Sequence, residues 1–131
     1  MSILLLEKNV GLRNLMRGLI EDRAEGIFVE EGEKPSEVGG ILNKIYAYRL
    51  VIMSWEDFGR TTLDAILNKS RDLRLAPQIW VLTEDDTRII HREAFEANLI
   101  LSKKEHFSPE VLKALAKRCY ENEEEKMRSL G

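Results

Sequence analysis

The stretch Leu50-Val51-Ile52-Met53-Ser54-Trp55-Glu56-Asp57-Phe58-Gly59 constrains the fold of this chain more than any other. Four consecutive apolar residues, two of them β-branched, read as a strand buried on both faces, as in a parallel sheet. The run ends in Ser-Trp-Glu-Asp and a glycine, the pattern of a strand running out into a loop. In open α/β sheets the carboxyl ends of strands are where ligands and chemistry gather, so residues 54–57 are the first place to look for function.

Four more short apolar runs, at residues 3–6, 26–30, 78–82 and 99–101, read as strands. Helical patterns separate them. Asn9 caps a helix whose Leu12, Leu15, Met16, Leu19 and Ile20 share one face. Pro35 opens a second, with Val38, Ile41, Leu42 and Ile45 directed inward. Gly39 and Gly40 weaken that helix by about 1 kcal/mol each relative to alanine. Thr61 or Thr62 caps a third, carrying Leu63, Ile66 and Leu67. Asp85 or Asp86 caps a fourth, carrying Ile89, Ile90 and Phe95. Ser108-Pro109-Glu110 opens a fifth through Leu112, Leu115, Ala116 and Cys119.

This alternation predicts an α/β fold, a doubly wound five-stranded parallel sheet in the order 2-1-3-4-5 with helices on both faces. Such a flavodoxin-like (βα)5 three-layer sandwich gathers Glu7-Lys8, Ser54-Trp55-Glu56, Thr83-Glu84 and Lys103-Lys104 along one edge. At 131 residues the chain has room for one core, expected to close within residues 1–120. The charged residues 121–131 read as an extension of the last helix, either a linker to an output domain or a frayed tail.

Charge and composition exclude several function classes. A net charge of −3 gives no electrostatic footprint for direct binding of nucleic acid or an anionic membrane. No apolar run approaches the ~20 residues of a transmembrane helix. The first residues lack the basic segment of a signal peptide. A single cysteine, Cys119, leaves no internal disulfide and suits a reducing compartment, so a cytoplasmic location is expected. Neither a catalytic cysteine motif nor a glycine-rich phosphate loop is present, and the expectation is a protein that is not an enzyme and carries no cofactor.

The residues at the strand ends resemble the receiver domain of two-component response regulators. The opening Ile-Leu-Leu-Leu-Glu-Lys-Asn-(x)3-Arg, ending at Arg13, matches the family's strand–acid–acid start in spacing. Ser54 stands where the family has its phosphoacceptor aspartate. Thr83 stands at the strand-four position whose hydroxyl contacts the phosphoryl group, and Lys103 falls at the family's strand-five lysine. The resemblance covers essentially the whole chain and implies a regulatory role in signal transduction, including transcriptional control. It also implies partnership with a protein or output domain, and a homodimer through the fourth helix, fifth strand and fifth helix.

The departures from the family decide the functional expectation. Receiver chemistry needs a carboxylate nucleophile and a magnesium ion held by hard oxygen ligands. Here the acceptor position carries Ser54, and the acid pair reads Glu7-Lys8, whose ammonium repels a cation; with Glu56 these form a degenerate metal site, and no bound metal is expected. Ile100 replaces the usual aromatic switch residue, and Lys104 the usual proline. The expectation is a non-phosphorylatable pseudo-receiver acting by protein contact; the alternative is phosphorylation by an unorthodox route or acceptor.

Lys8 either pairs with Glu7, Glu56 or Asp57 inside the vacated site or runs out to water. Asp57, three residues past the strand, is expected to lie beyond the strand end. Glu56, Asp57, Glu84, Asp85 and Asp86 read as solvated carboxylates and helix caps, His91 and His106 as surface residues, and Cys119 as a core residue. Trp55 is expected to pack over the loop.

Overall fold

A computed structural model describes residues 2–23, 28–104 and 117. Its elements run β1 (Ser2–Leu6), α1 (Val10–Arg23), β2 (Phe28–Gly32), α2 (Val38–Ile41), β3 (Tyr48–Ser54), α3 (Trp55–Ser70), β4 (Gln78–Thr83), α4 (Thr87–Glu93) and β5 (Leu99–Ser102). The five strands form one sheet in the order β2-β1-β3-β4-β5, and every neighbouring pair is parallel. This is the expected doubly wound topology.

Alternation along the strands divides the core into two layers. Leu4, Leu6, Val51, Met53, Ile79 and Val81 face one side and pack with Val38 of α2, Leu63 and Ile66 of α3 and Ile90 of α4. Ile3, Leu5, Leu50, Ile52, Trp80 and Leu82 face the other and pack with Met16 and Ile20 of α1. Because β1, β3 and β4 are covered on both sides, their sequences are continuous apolar runs. Full burial of each such side chain stabilises by about 1.5–3 kcal/mol.

Several local expectations are corrected. The second helix is broken: a 3-10 turn at Pro35–Glu37 and another at Leu42–Ala47 flank only four α-helical residues. Val38, Leu42 and Ile45 still turn inward, because their spacing suits either helix period, while Gly39 and Gly40 offer solvent no side chain. β2 ends at Gly32, two residues later than expected. A Cβ on Gly32 would stand 2.6 Å from Leu6 Cδ2, so a larger residue there would have to push the buried Leu6 side chain aside.

α3 begins at Trp55 rather than at Thr61 or Thr62. Ser54 is its N-cap residue, and Glu56 and Asp57 lie in its first turn, where carboxylates favour the helix dipole. Gly59, at φ 66 and ψ −166, then bends the chain before the helix resumes. Leu15, Ile89 and Phe95 are exposed rather than inward. α4 ends at Glu93, so Phe95 falls past the helix, where the Arg60 guanidinium lies 5.8 Å from its ring centre. The fifth helix with Leu112, Leu115, Ala116 and Cys119, His106, and the segment 121–131 lie outside the described residues, as does the side chain of Leu19.

Candidate functional site

The parallel sheet carries the ends of β1, β3, β4 and β5 to one edge. Glu7 directly follows β1, Ser54 ends β3, Thr83 ends β4, and Lys103 directly follows β5. The Lys103 backbone N–H donates to the Thr83 carbonyl at 2.8 Å, extending the β4–β5 ladder by one residue and aiming the lysine back over the sheet. On the far side Arg13 Nη1 donates to the Glu7 carbonyl at 2.8 Å, fixing the turn after β1.

The centre of the site is the Lys103 ammonium. It donates to Ser54 Oγ at 2.6 Å and to Glu7 Oε1 at 3.1 Å. Ser54 in turn donates its hydroxyl proton to Asp57 Oδ2 at 3.0 Å. The sequence Glu7, Lys103, Ser54, Asp57 is therefore one hydrogen-bonded chain in which the serine accepts from one side and gives to the other. Ser54 and Glu7 are fully buried, and the side chain of Lys103 is 9% exposed. Burial pushes the Glu7 carboxyl above its usual range; Lys103 pulls it down, the Asp57 carboxyl pushes it up, and the Ser54 hydroxyl pulls it down, with a net upward shift.

One expectation is overturned here, and one open choice is decided. Asp57 is not beyond the strand end: the helical turn at the start of α3 folds it back, so its carboxylate meets the residue three positions earlier. Lys8 does not fill the site. It is exposed, and among the described residues no carboxylate lies within 4.0 Å of its ammonium, so the solvated alternative holds. Only its backbone N–H enters, donating to Glu7 Oε2 at 3.1 Å. The internal ion pair is made by Lys103 instead.

Glu56 points away from the Ser54 chain. Its carboxylate accepts the Thr83 hydroxyl at 2.9 Å and the Glu84 backbone N–H. Thr83 Oγ1 also accepts the Asp85 N–H at 3.0 Å, and Asp86 caps α4 by accepting the Arg88 N–H at 2.9 Å. Trp55 is packed as expected, its Nε1 donating to Glu93 Oε2 at 3.1 Å. Ile100 is buried against the α3–α4 layer, opposite Val81, with no polar handle. His91 is exposed on α4.

A cavity of about 370 Å³ opens above the site, lined by Glu7, Lys8, Glu56, Asp57, Glu84 and Lys103 among others. The donors do not fit a divalent cation. Glu7 is engaged by an ammonium and a backbone N–H, Glu56 by a hydroxyl and a backbone N–H, and an arriving cation would meet the Lys103 charge at the same carboxylate. Among the described residues no three His, Cys, Asp or Glu converge as a metal set. Nor does any helix among them have the length and apolarity to cross a membrane.

No family model and no curated protein matches the chain. Solved structures do. A signal receiver domain of a DNA-binding response regulator from Colwellia psychrerythraea is similar at TM-score 0.76 and 16% identity, over 92% of this chain and 98% of that one. An orphan response regulator of H. pylori is similar at TM-score 0.65 and 24% identity, over 90% and 92%. A third, described as an atypical orphan response regulator with a phosphorylation-independent regulatory mechanism, is similar at TM-score 0.68 and 22% identity, over 91% and 94%. At these identities the likeness is one of architecture: the chain has the fold of a response-regulator receiver domain.

Proposed function

We propose that this chain is a receiver-type regulatory module of signal transduction that works through protein contacts, without aspartyl phosphorylation and without enzymatic activity of its own. One observation carries the reading. At the strand end where a carboxylate nucleophile would stand, there is a buried hydroxyl held between Lys103 and Asp57. A serine hydroxyl needs an adjacent base and an approach path to attack phosphorus. Ser54 has a carboxylate neighbour but no exposure, and the ammonium on its other side is paired with Glu7. The similarity to orphan and atypical response regulators supports the same reading. Its partner would be a protein or an output domain in the cytoplasm, with a homodimer through α4, β5 and the fifth helix that the sequence leads one to expect; transcriptional control is one outlet.

A second reading is favoured by the position of Asp57. It supplies a carboxylate at the same cavity, and a carboxylate is the nucleophile that phosphoryl transfer to a receiver requires. Incubation of the protein with acetyl phosphate and Mg²⁺, read by intact mass, separates the two. An unchanged mass is the expected result. A stoichiometric adduct mapped to Asp57 would replace the first reading with the second.

A further inference from the structure

Charge is divided unevenly between the two ends of β3 and β4. At their amino ends, Arg49 is the second residue of β3 and Lys69 lies in the last turn of α3. Arg71 and Arg74 follow, where the chain leads from α3 into β4. Asp72 is the one acid in residues 69–77. Lys69, Arg71 and Arg74 are exposed, and among the described residues none of these cations is paired with a carboxylate. Arg49 Nη1 donates to the Tyr46 carbonyl at 3.0 Å and Arg71 Nη2 to Asn68 Oδ1 at 2.7 Å, neutral acceptors that leave both charges uncompensated. Tyr46 itself is 63% exposed, on the 3-10 turn that packs against α3. The helix dipole accounts for Lys69 but not for Arg49 or Arg74, and arginine beside exposed tyrosine is the composition of a protein interface. At the carboxyl ends the sign reverses. Glu56 and Asp57 follow β3, and Glu84 and Asp85, both exposed, follow β4. Lys103 is cancelled by Glu7, and Lys8 and Lys104 only flank the edge, which stays net negative.

We propose that the basic amino end of β3 and β4 is a docking surface for a second copy of this chain, seated head to tail on that copy's acidic carboxyl edge. Charge selects the arrangement. Basic end on basic end, or acidic edge on acidic edge, would bring like charges together, so a two-fold contact through either surface is disfavoured. The complementary contact sets Arg71 and Arg74 of one copy against Glu84 and Asp85 of the next. Both surfaces lie at opposite ends of the same two strands, so every copy offers one of each. A contact of this heterologous kind continues into a row or closes into a ring of more than two copies. It covers the mouth of the cavity above Ser54 with the neighbour's guanidinium groups and leaves α4 and β5 free for a two-fold dimer. The pairs are exposed, individually weak and screened by salt, so the assembly forms at low ionic strength or high local concentration. It does not depend on whether the site can be phosphorylated.

Sedimentation velocity of the full chain tests it. In about 10 mM salt, where the Debye length is about 30 Å, the mean mass should climb past two copies as concentration rises. In about 1 M salt, where that length is about 3 Å, the growth past two copies should vanish. Arg71→Glu/Arg74→Glu makes both ends acidic, and Glu84→Lys/Asp85→Lys makes both basic. Each variant alone should lose the growth past two copies, and an equimolar mixture should regain it, because every contact then joins opposite charges. A two-fold dimer through α4 and β5 would pass through all these changes unaltered, so its presence or absence is read separately. Wild type that never exceeds two copies in low salt would overturn the proposal. So would a charge-reversed variant that grows as wild type does, or a mixture that stays as small as its components. If a reversed variant does not fold, Arg71→Gln/Arg74→Gln decides it together with the salt series: growth equal to that of wild type would overturn the proposal.

Discussion

Lys103 Nζ lies 2.6 Å from Ser54 Oγ, and the same ammonium is the ionic partner of the buried Glu7 carboxylate. Removing it by Lys103→Met leaves that carboxylate 1% exposed and without a counter-charge. Loss of one partner of a buried pair costs about 3–5 kcal/mol. Urea denaturation at pH 8 should show a loss of that order. At pH 5 the loss should be smaller, since Glu7 can take up a proton instead. An equal loss at both pH values would mean that the pair is not ionic.

Glu7 gives the wild-type protein a pH dependence of definite sign. Burial, with the Asp57 carboxyl adding to it, holds its pKa above the ordinary 4.5. The native state therefore binds this proton more tightly than the unfolded chain. The stability it contributes is fully present below pH 4.5 and is lost as pH rises through the raised value. Glu7→Gln removes the titration, so urea midpoints of the variant relative to wild type should rise from acid toward neutral pH. The opposite trend would show that Lys103 outweighs burial at this carboxyl.

Gly59 sits at φ 66 and ψ −166, a conformation that costs a residue with a Cβ about 1–3 kcal/mol. A Cβ there would meet nothing within 4 Å, so the strain is torsional and not a clash. Gly59→Ala should lower stability by that amount, and Gly59→Asn by a similar amount, because asparagine's tolerance of positive φ belongs to the left-handed helical region and ψ −166 lies outside it. Thermal unfolding of the pair checks it.

Charge at the site decides cation binding. Lys8→Asp and Ser54→Asp together surround Lys103 with Glu7, Asp57 and two new carboxylates, a donor set of the hard oxygen type Mg²⁺ takes. The double variant should bind Mg²⁺ in the millimolar range, read by Trp55 emission, whereas wild type should show no change. Failure of the double variant to bind would point to Glu56, which Thr83 and Glu84 hold elsewhere, as the carboxylate such a site still lacks.

The sheet and its order were legible because buried parallel strands write themselves as unbroken apolar runs, and residues 50–53 are the clearest of these. Glu7, Ser54, Thr83 and Lys103 follow from that, since each adjoins a strand end. Asp57 was missed for a local reason. Ser-Trp-Glu-Asp-Phe-Gly has the composition of a loop, which masks the single helical turn it makes before Gly59. The cue was the pair of carboxylates just after a serine, a helix-start pattern. The placement of Lys8 stayed open in the sequence for a related reason, because adjacency to Glu7 does not tell on which side of the turn its side chain lies. Ile89, Phe95 and Leu15 show the limit of periodicity: it marks an apolar position but not whether the sheet reaches far enough to cover it.

The Glu7–Lys103 contact joins residues 96 positions apart, and closing so long a loop costs on the order of 4 kcal/mol of chain entropy. Their side chains can meet only once β1, β3, β4 and β5 lie side by side, so the polar centre forms after the strands and not before them. Translation delivers Glu7 near the start and Lys103 near the end of the described chain. Until the lysine arrives, the newly made carboxylate has no cation to accompany it into the interior. The site is in that sense a clasp, shut by the last strand to emerge, and its closure records that the whole sheet has been assembled.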